Sequence, residues 1–142
     1  MSSVTCTISK DVLADVKKCR LDDPNANMLA YIAKIDTDNK VVVKDAQFDS
    51  IAFEDLAEEL PGSEPRYIVL SYRQTHRDGR VSYPLVFIYY MPTTAKPVHR
   101  MLYASTQPLF SKETRLSDPY LLVESEDLSQ EWLEGHLNKF SS

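Results

Sequence analysis

The sequence predicts one domain over residues 1–142, an α+β or α/β sandwich whose central mixed β-sheet carries helices on both faces. Three observations lead there. Helical and strand-like segments interleave, in the order helix, two strands, helix, two strands, long helix, strand, helix. The run Leu85-Val86-Phe87-Ile88-Tyr89-Tyr90 is apolar without alternation, so a strand lies there with both faces covered, at the sheet centre. The helical segments have apolar stripes that can lie on a sheet.

Taken in order, Ser9 followed by "KDVLADVKKCRL" reads as a capped helix. Ser9 is the N-cap, and Val12, Leu13, Val16, Cys19 and Leu21 form the stripe. "DDPNAN" ends it. "MLAYIAKI" (28–35) and "KVVVKDA" (40–46) are strands joined by the turn residues "DTDN". "SIAFEDLAEELPG" (50–62) is a short helix closed by Pro61 and Gly62. "RYIVLSYRQT" and "VSYPLVFIYY" then flank "HRDGR", where Asp-Gly is the strongest short hairpin signal. Pro84 stands at a strand start, where a missing N–H is tolerated.

A long helix follows over about 96–114, then a short strand in "DPYLLVES" (118–125). "DLSQEWLEGHLNKF" closes the chain as an amphipathic helix. Leu128, Trp132, Leu133, His136, Leu137 and Phe140 recur at helical spacing, with acids early and Lys139 late, as the helix dipole favours.

Composition narrows the function. At 43% hydrophobic and 26% charged residues the chain is of ordinary globular type. No apolar run reaches the ~18–20 residues that span a bilayer. "MSSVTCTISKDV" lacks the features of a secretory signal, so a cytosolic address is expected. Cys6 and Cys19 match no metal-ligand spacing and read as ordinary thiols. A formal net charge of −5 argues against nucleic acid as partner.

The search for catalytic chemistry is mostly negative. His76-Arg77-Asp78 matches the opening of a kinase catalytic loop, but the asparagine needed five residues past the aspartate is Tyr83. His76, His99 and His136 are scattered without metal spacing. Three glycines cannot supply a phosphate-cradling fingerprint, and no nucleophile elbow occurs. No enzyme activity, cofactor or metal is expected.

The long helix is where a function surfaces. At about 100° per residue, Leu102, Tyr103, Thr106, Leu109 and Phe110 share one side and should bury against the sheet. Arg100, Met101, Ala104, Ser105 and Pro108 share the other. Pro108 cannot donate to the carbonyl of Ala104, so a kink toward the core is expected. A stripe of small residues with one adaptable methionine and one arginine is a shape that enters another protein's groove. The same residues also suit a methionine that fills a gap beneath a covering loop.

At this point the residues resemble a family. "PLVFIYYMPTTAKPVHRMLYASTQ" is similar to the signature of the actin-depolymerising factor homology domain, a gelsolin-like fold. That signature is an apolar strand, a proline loop, then a helix with basic-Met-x-Tyr-Ala-Ser. Within the family, "RYIVLSY" with the hairpin that follows it, "ELP", and "EDLSQEWL" resemble the glia maturation factors and not cofilin itself.

The resemblance implies a non-enzymatic regulator of actin branching. Such a protein binds the actin-related protein 2/3 complex, inhibits branch nucleation and promotes filament debranching, while binding actin poorly. A first contact surface is implied at the N-terminus and long helix, on Lys17, Lys18, Arg20, Arg100, Met101, Ala104, Ser105 and Pro108. It would enter the barbed-end groove of an actin-related subunit. A second surface on His76, Arg77, Asp78, Arg80, Glu131 and Glu134 would meet a neighbouring subunit or daughter-filament actin. Ser2 and Ser3 are implied as phosphorylation sites.

Neither nucleic acid nor membrane is implied as partner, and the chain is expected to be a monomer. It would work in the cytoplasm at cortical actin structures, with the nucleus as a second address. Two departures matter. Relatives carry a longer basic run after the first helix, where this chain has Asp22 and Asp23. Cofilin-type helices open with two basic residues where Val98 and Arg100 stand here. The alternative reading is a cofilin-like protein that binds actin monomers or filaments.

Overall fold

Period-two side-chain alternation in three long strands builds the centre of the molecule. The structure is a computed structural model and describes residues 5–19 and 28–138. Its elements are β1 (Thr7–Ile8), α1 (Lys10–Lys17), β2 (Met28–Asp36), β3 (Val41–Phe48), α2 (Phe53–Glu59), β4 (Arg66–Tyr72), β5 (Gln74–Thr75), β6 (Val81–Ser82), β7 (Leu85–Tyr90), α3 (Pro97–Thr114), β8 (Tyr120–Leu122) and α4 (Gln130–Leu137). A 3-10 turn at Ser125–Asp127 precedes α4.

Six strands make one sheet in the order β1-β3-β2-β4-β7-β8. The inner pairs are antiparallel, while β1 with β3 and β7 with β8 are parallel. The sheet is therefore mixed, as expected. Every residue of β4 is buried, which only a strand covered on both faces allows. Ile68, Leu70 and Tyr72 of β4 join Met28, Ala30 and Ile32 of β2 in a core under α2 and α4, with Phe53, Leu56 and Leu133. Tyr67 and Val69 join Leu29, Tyr31, Ala33 and Phe87 in the opposite core, under Val12 and Val16 of α1 and Leu102, Tyr103 and Phe110 of α3. Each large side chain so buried contributes about 1.5–3 kcal/mol.

The helix ends follow local chemistry. Ser9 Oγ accepts from the Asp11 N–H at 3.1 Å, and Ser129 Oγ from the Trp132 N–H at 3.1 Å. α3 begins with Pro97 and closes on Arg115 in the left-handed region at φ 62°. It runs through Pro108 as one helix.

The structure corrects several expectations. β1 has no periodicity to reveal it, being two residues long. It is held by the Thr7 N–H to Lys40 O and the Ser9 N–H to Val42 O, both 3.0 Å. The single long hairpin divides: β4 and β7 belong to the main sheet, and β5 with β6 form a separate two-stranded ribbon at the tip. Leu85, the first residue of β7, is exposed rather than enclosed on both sides. Leu109 is half-buried, at the border of the packed side of α3. Leu21, Lys139 and Phe140 lie outside the described residues.

Candidate partner-binding surfaces

The rotation of α3 is set by hydrogen bonds on its inner face. The Tyr67 hydroxyl donates to the Tyr103 carbonyl at 2.6 Å. The Ile35 N–H donates to the Tyr103 hydroxyl at 2.8 Å, and the Cys6 N–H to Thr106 Oγ1 at 3.0 Å. Rings reinforce this, with Tyr67 stacked on Phe110 at 4.8 Å and edge-on to Tyr103 at 5.3 Å. Burial, followed by Tyr89, Tyr103 and Cys6 nearby, pushes the Tyr67 hydroxyl far above its ordinary pKa of 10. It is a structural group, and with Tyr103 locked beneath, the other side of α3 must face outward.

That side is bare. Met101 is 47% exposed, and Arg100, Ala104 and Pro108 are exposed with it. Ser105 is half-buried and its hydroxyl donates to the Leu102 carbonyl at 3.2 Å. The gap-filling alternative for Met101 is thereby overturned. Arg100 is tethered, its Nη1 donating to Pro92 O at 3.2 Å and Thr93 O at 3.5 Å. Lys17 and Lys18 are exposed at the end of α1, which packs beside α3. Arg20, Ser2 and Ser3 lie outside the described residues.

The hairpin tip is a second cluster. Gly79 has φ 90°, a conformation open to glycine at low cost. The His76 N–H reaches Arg80 O at 2.8 Å, and the Gly79 N–H reaches His76 O at 3.0 Å. Asp78 accepts from the Arg80 N–H at 3.1 Å and from Arg80 Nε at 2.7 Å. The backbone N–H of Arg80, then its guanidinium, hold the Asp78 carboxyl below its ordinary range. His76 Nε2 lies 2.8 Å from Ser82 Oγ, so the kinase-like triplet is turn chemistry. Arg77 is exposed.

The end of α4 meets this tip where Gln74 Nε2 donates to Oδ1 of the C-cap residue Asn138 at 3.0 Å. Between them lies a concavity of about 540 Å³ lined by His76, Arg77, Asp78 and Arg80. Glu131 is exposed. Glu134 is half-buried beside Tyr72, whose pKa burial and then this carboxylate push up to about 12. That proximity is one no linear pattern signals. Reasoning from sequence also passes over the bond from Gln74 to Asn138 and the exposed trio Val81, Tyr83 and Leu85. Their every-second-residue spacing is the signal that could have found the trio.

Among the described residues, no three His, Cys, Asp or Glu could hold a metal ion. Burial pushes the Cys19 thiol up to about 11, away from nucleophilic use.

Comparison with known proteins agrees with this geometry. The profile of the cofilin/tropomyosin-type actin-binding protein family matches residues 5–138. Glia maturation factor beta of Homo sapiens is 38% identical over 139 residues, 98% of this chain and 97% of the relative. Glia maturation factor of Drosophila melanogaster is 37% identical over 132 residues, 93% of this chain and 95% of its own length. The solution structure of glia maturation factor from Caenorhabditis elegans superposes with a TM-score of 0.78 at 32% identity, covering 95% of this chain and 97% of that one. Cofilin of Streptomyces griseoflavus shares the fold, with a TM-score of 0.78 at 18% identity over 96% of this chain and 98% of its own. A six-stranded mixed sheet whose long helix shows a bare methionine flank, and a sequence alike from end to end, place this chain in the cofilin/tropomyosin-type actin-binding family, on its glia maturation factor branch.

Proposed function

We propose that this chain is a non-enzymatic regulator of actin branching that binds the actin-related protein 2/3 complex, inhibits branch nucleation and promotes debranching. The observation that carries the reading is the exposed flank of α3, Arg100, Met101, Ala104 and Pro108, on a helix locked in rotation by Tyr103 and Thr106. A smooth apolar flank with a flexible thioether suits a groove between subdomains. The clamped guanidinium of Arg100 enters such a groove having already lost much of its rotamer freedom.

The mechanism is competition with strain. A domain wedged under one actin-related subunit occupies the place of the first daughter actin. If it binds better when the junction is open, it shifts the junction toward opening, because only differential affinity moves such an equilibrium. The hairpin tip, with Arg77, Arg80 and the α4 residue Glu131, supplies the second contact, against a neighbouring subunit or daughter-filament actin. The site of action is cytoplasmic branched actin, cortical structures foremost. Phosphate at Ser2 or Ser3 is the proposed off-signal, about two negative charges at a groove-entering segment. Wild-type affinity in a variant with Asp at both positions would retire it.

Pull-down with the purified complex, run beside co-sedimentation with filaments and microscopy of branch lifetimes, tests the function. Capture by the complex, weak filament binding and shortened branch lifetimes are expected. Strong filament binding without capture by the complex would instead establish the cofilin-like alternative. Charge reversal at Arg77 and Arg80 should spare binding and slow debranching, and equal loss of both refutes a separate second surface.

A further inference from the structure

The loop between β7 and α3 grips the Arg100 side chain, and the loop is itself held by a remote segment. Met91 and Ala95 are buried at its two ends. The Met91 N–H donates to Leu122 O at 2.9 Å, and the Ala95 N–H closes the turn on Pro92 O at 3.1 Å. Thr93 and Thr94 form the exposed apex. Arg100, in the first turn of α3, reaches back so that Nη1 donates to Pro92 O at 3.2 Å and Thr93 O at 3.5 Å.

Burial does not fix an exposed apex, and here a side chain does so. The Thr94 hydroxyl donates to Gly62 O at 3.1 Å and lies 3.0 Å from Ser63 Oγ, whose own proton can complete the second bond. Gly62 and Ser63 stand 32 and 31 positions earlier, in the segment joining α2 to β4. Buried groups pin that segment at both ends. The Tyr90 hydroxyl donates to Pro61 O at 2.7 Å, and Arg66 Nη1 donates to Pro65 O at 2.8 Å. A rigid end of the sheet is thus linked to Arg100 through one threonine hydroxyl and two loop carbonyls.

We propose that Thr94 is a positioning residue of the first contact surface: its clasp to Gly62 and Ser63 aims the carbonyls that hold the Arg100 guanidinium ready for the partner. This rests on the reading of the chain as a branch regulator. Thr94 acts through Arg100 and not by touching the partner. A guanidinium has five N–H donors in a planar fork, so donors remain for a partner acceptor while Nη1 stays on the loop. A loose arginine gives up its rotamer freedom on binding, and one already held gives up less. The clasp therefore sets affinity before contact is made. No periodicity or local motif joins Thr94 to Ser63, so only the folded chain reveals it.

The experiment uses the full chain with purified actin-related protein 2/3 complex, reading affinity beside NMR relaxation of the Arg100 Nε–H. Thr94→Val keeps the shape and removes the hydroxyl. It should weaken binding about threefold to fivefold, the worth of one lost hydrogen bond, and make the Arg100 side chain more mobile. Thr94→Ser should restore both. In an Arg100→Ala background, Thr94→Val should change affinity by less than about 1.5-fold, because the two residues act as one unit. If Thr94→Val lowers the thermal midpoint, Ser63→Ala removes the other hydroxyl of the clasp and carries the same test with the same signs. Wild-type affinity in Thr94→Val overturns the inference alone, as does an equal loss in both backgrounds. Tighter binding would make the tether a restraint that Arg100 must leave, and overturns it too. Wild type that fails to bind the complex overturns the functional reading itself, and the inference with it.

Discussion

Cys6 and Thr106 stand 100 positions apart in the chain, and the Cys6 N–H donates to Thr106 Oγ1 at 3.0 Å. Both residues are fully buried. The bond ties the segment leading into β1 to the inner face of α3, so the start of the described chain and the bare methionine flank share one side of the molecule. Two parts of the proposed first contact surface, read separately in the sequence, are joined by a single hydroxyl.

Thr106→Val keeps the shape and removes the acceptor. An orphaned buried N–H costs about 1–3 kcal/mol. Urea unfolding should show that loss, and hydrogen exchange should show the Cys6 amide opening sooner than the amides of β4.

Met101 and Tyr103 are near neighbours in sequence with opposite roles. Met101→Ala should leave stability within about 0.5 kcal/mol, as surface changes do. Tyr103→Ala removes a buried ring and the acceptor of the Ile35 N–H, and should cost about 3–5 kcal/mol. Combined with Arg100→Ala, Met101→Ala should weaken binding to the complex by more than about 2 kcal/mol. The double variant also frees the Pro92 and Thr93 carbonyls, which adds a fold loss of about 0.5–1.5 kcal/mol. Circular dichroism showing the double variant unfolded would contradict the face assignment.

Alkali should unfold this domain through its tyrosines. Burial is the first cause that raises Tyr31, Tyr67, Tyr72, Tyr89, Tyr90 and Tyr103 above the ordinary value of 10. A raised folded-state pKa means that its contribution is intact below pH 10 and is lost as pH rises through the folded value. Tyrosinate absorbance from these six should therefore rise late and in one cooperative step with the loss of circular dichroism. Smooth titration of all tyrosines near pH 10 in a folded protein would contradict the packing.

Acid should reach the hairpin tip late, after carboxyls that titrate in their ordinary range. The Asp78 carboxyl is depressed by the Arg80 N–H and guanidinium, so its contribution is present above pH 3.8 and fades as pH falls through the folded value. Carboxyl-carbon resonances should show Asp78 titrating below 3.8, and Arg80→Ala should move it upward. Because the pair is exposed, salt should shrink the shift.

Sequence reasoning succeeded where one element's own periodicity carries the information. The 3.6-residue repeat of α3 separates Tyr103 from Met101 without any coordinates, and the unbroken apolar run places Phe87 and Ile88 between two layers. It failed where a position depends on a remote partner. β1 exists because Lys40 and Val42 offer carbonyls to Thr7 and Ser9. Glu134 reads as a solvent acid until Tyr72 is found beside it. Leu85 reads as core until its exposure at the start of β7 is seen.

What the chain determined by itself was the type and order of its longer elements, and the two-sidedness of the long helix. Those are local properties, fixed by backbone period and side-chain spacing. Whether the second side of that helix met water or more protein was decided only by the tertiary structure. Exposure is a matter of which layers happen to cover a surface, and no residue encodes what lies above it.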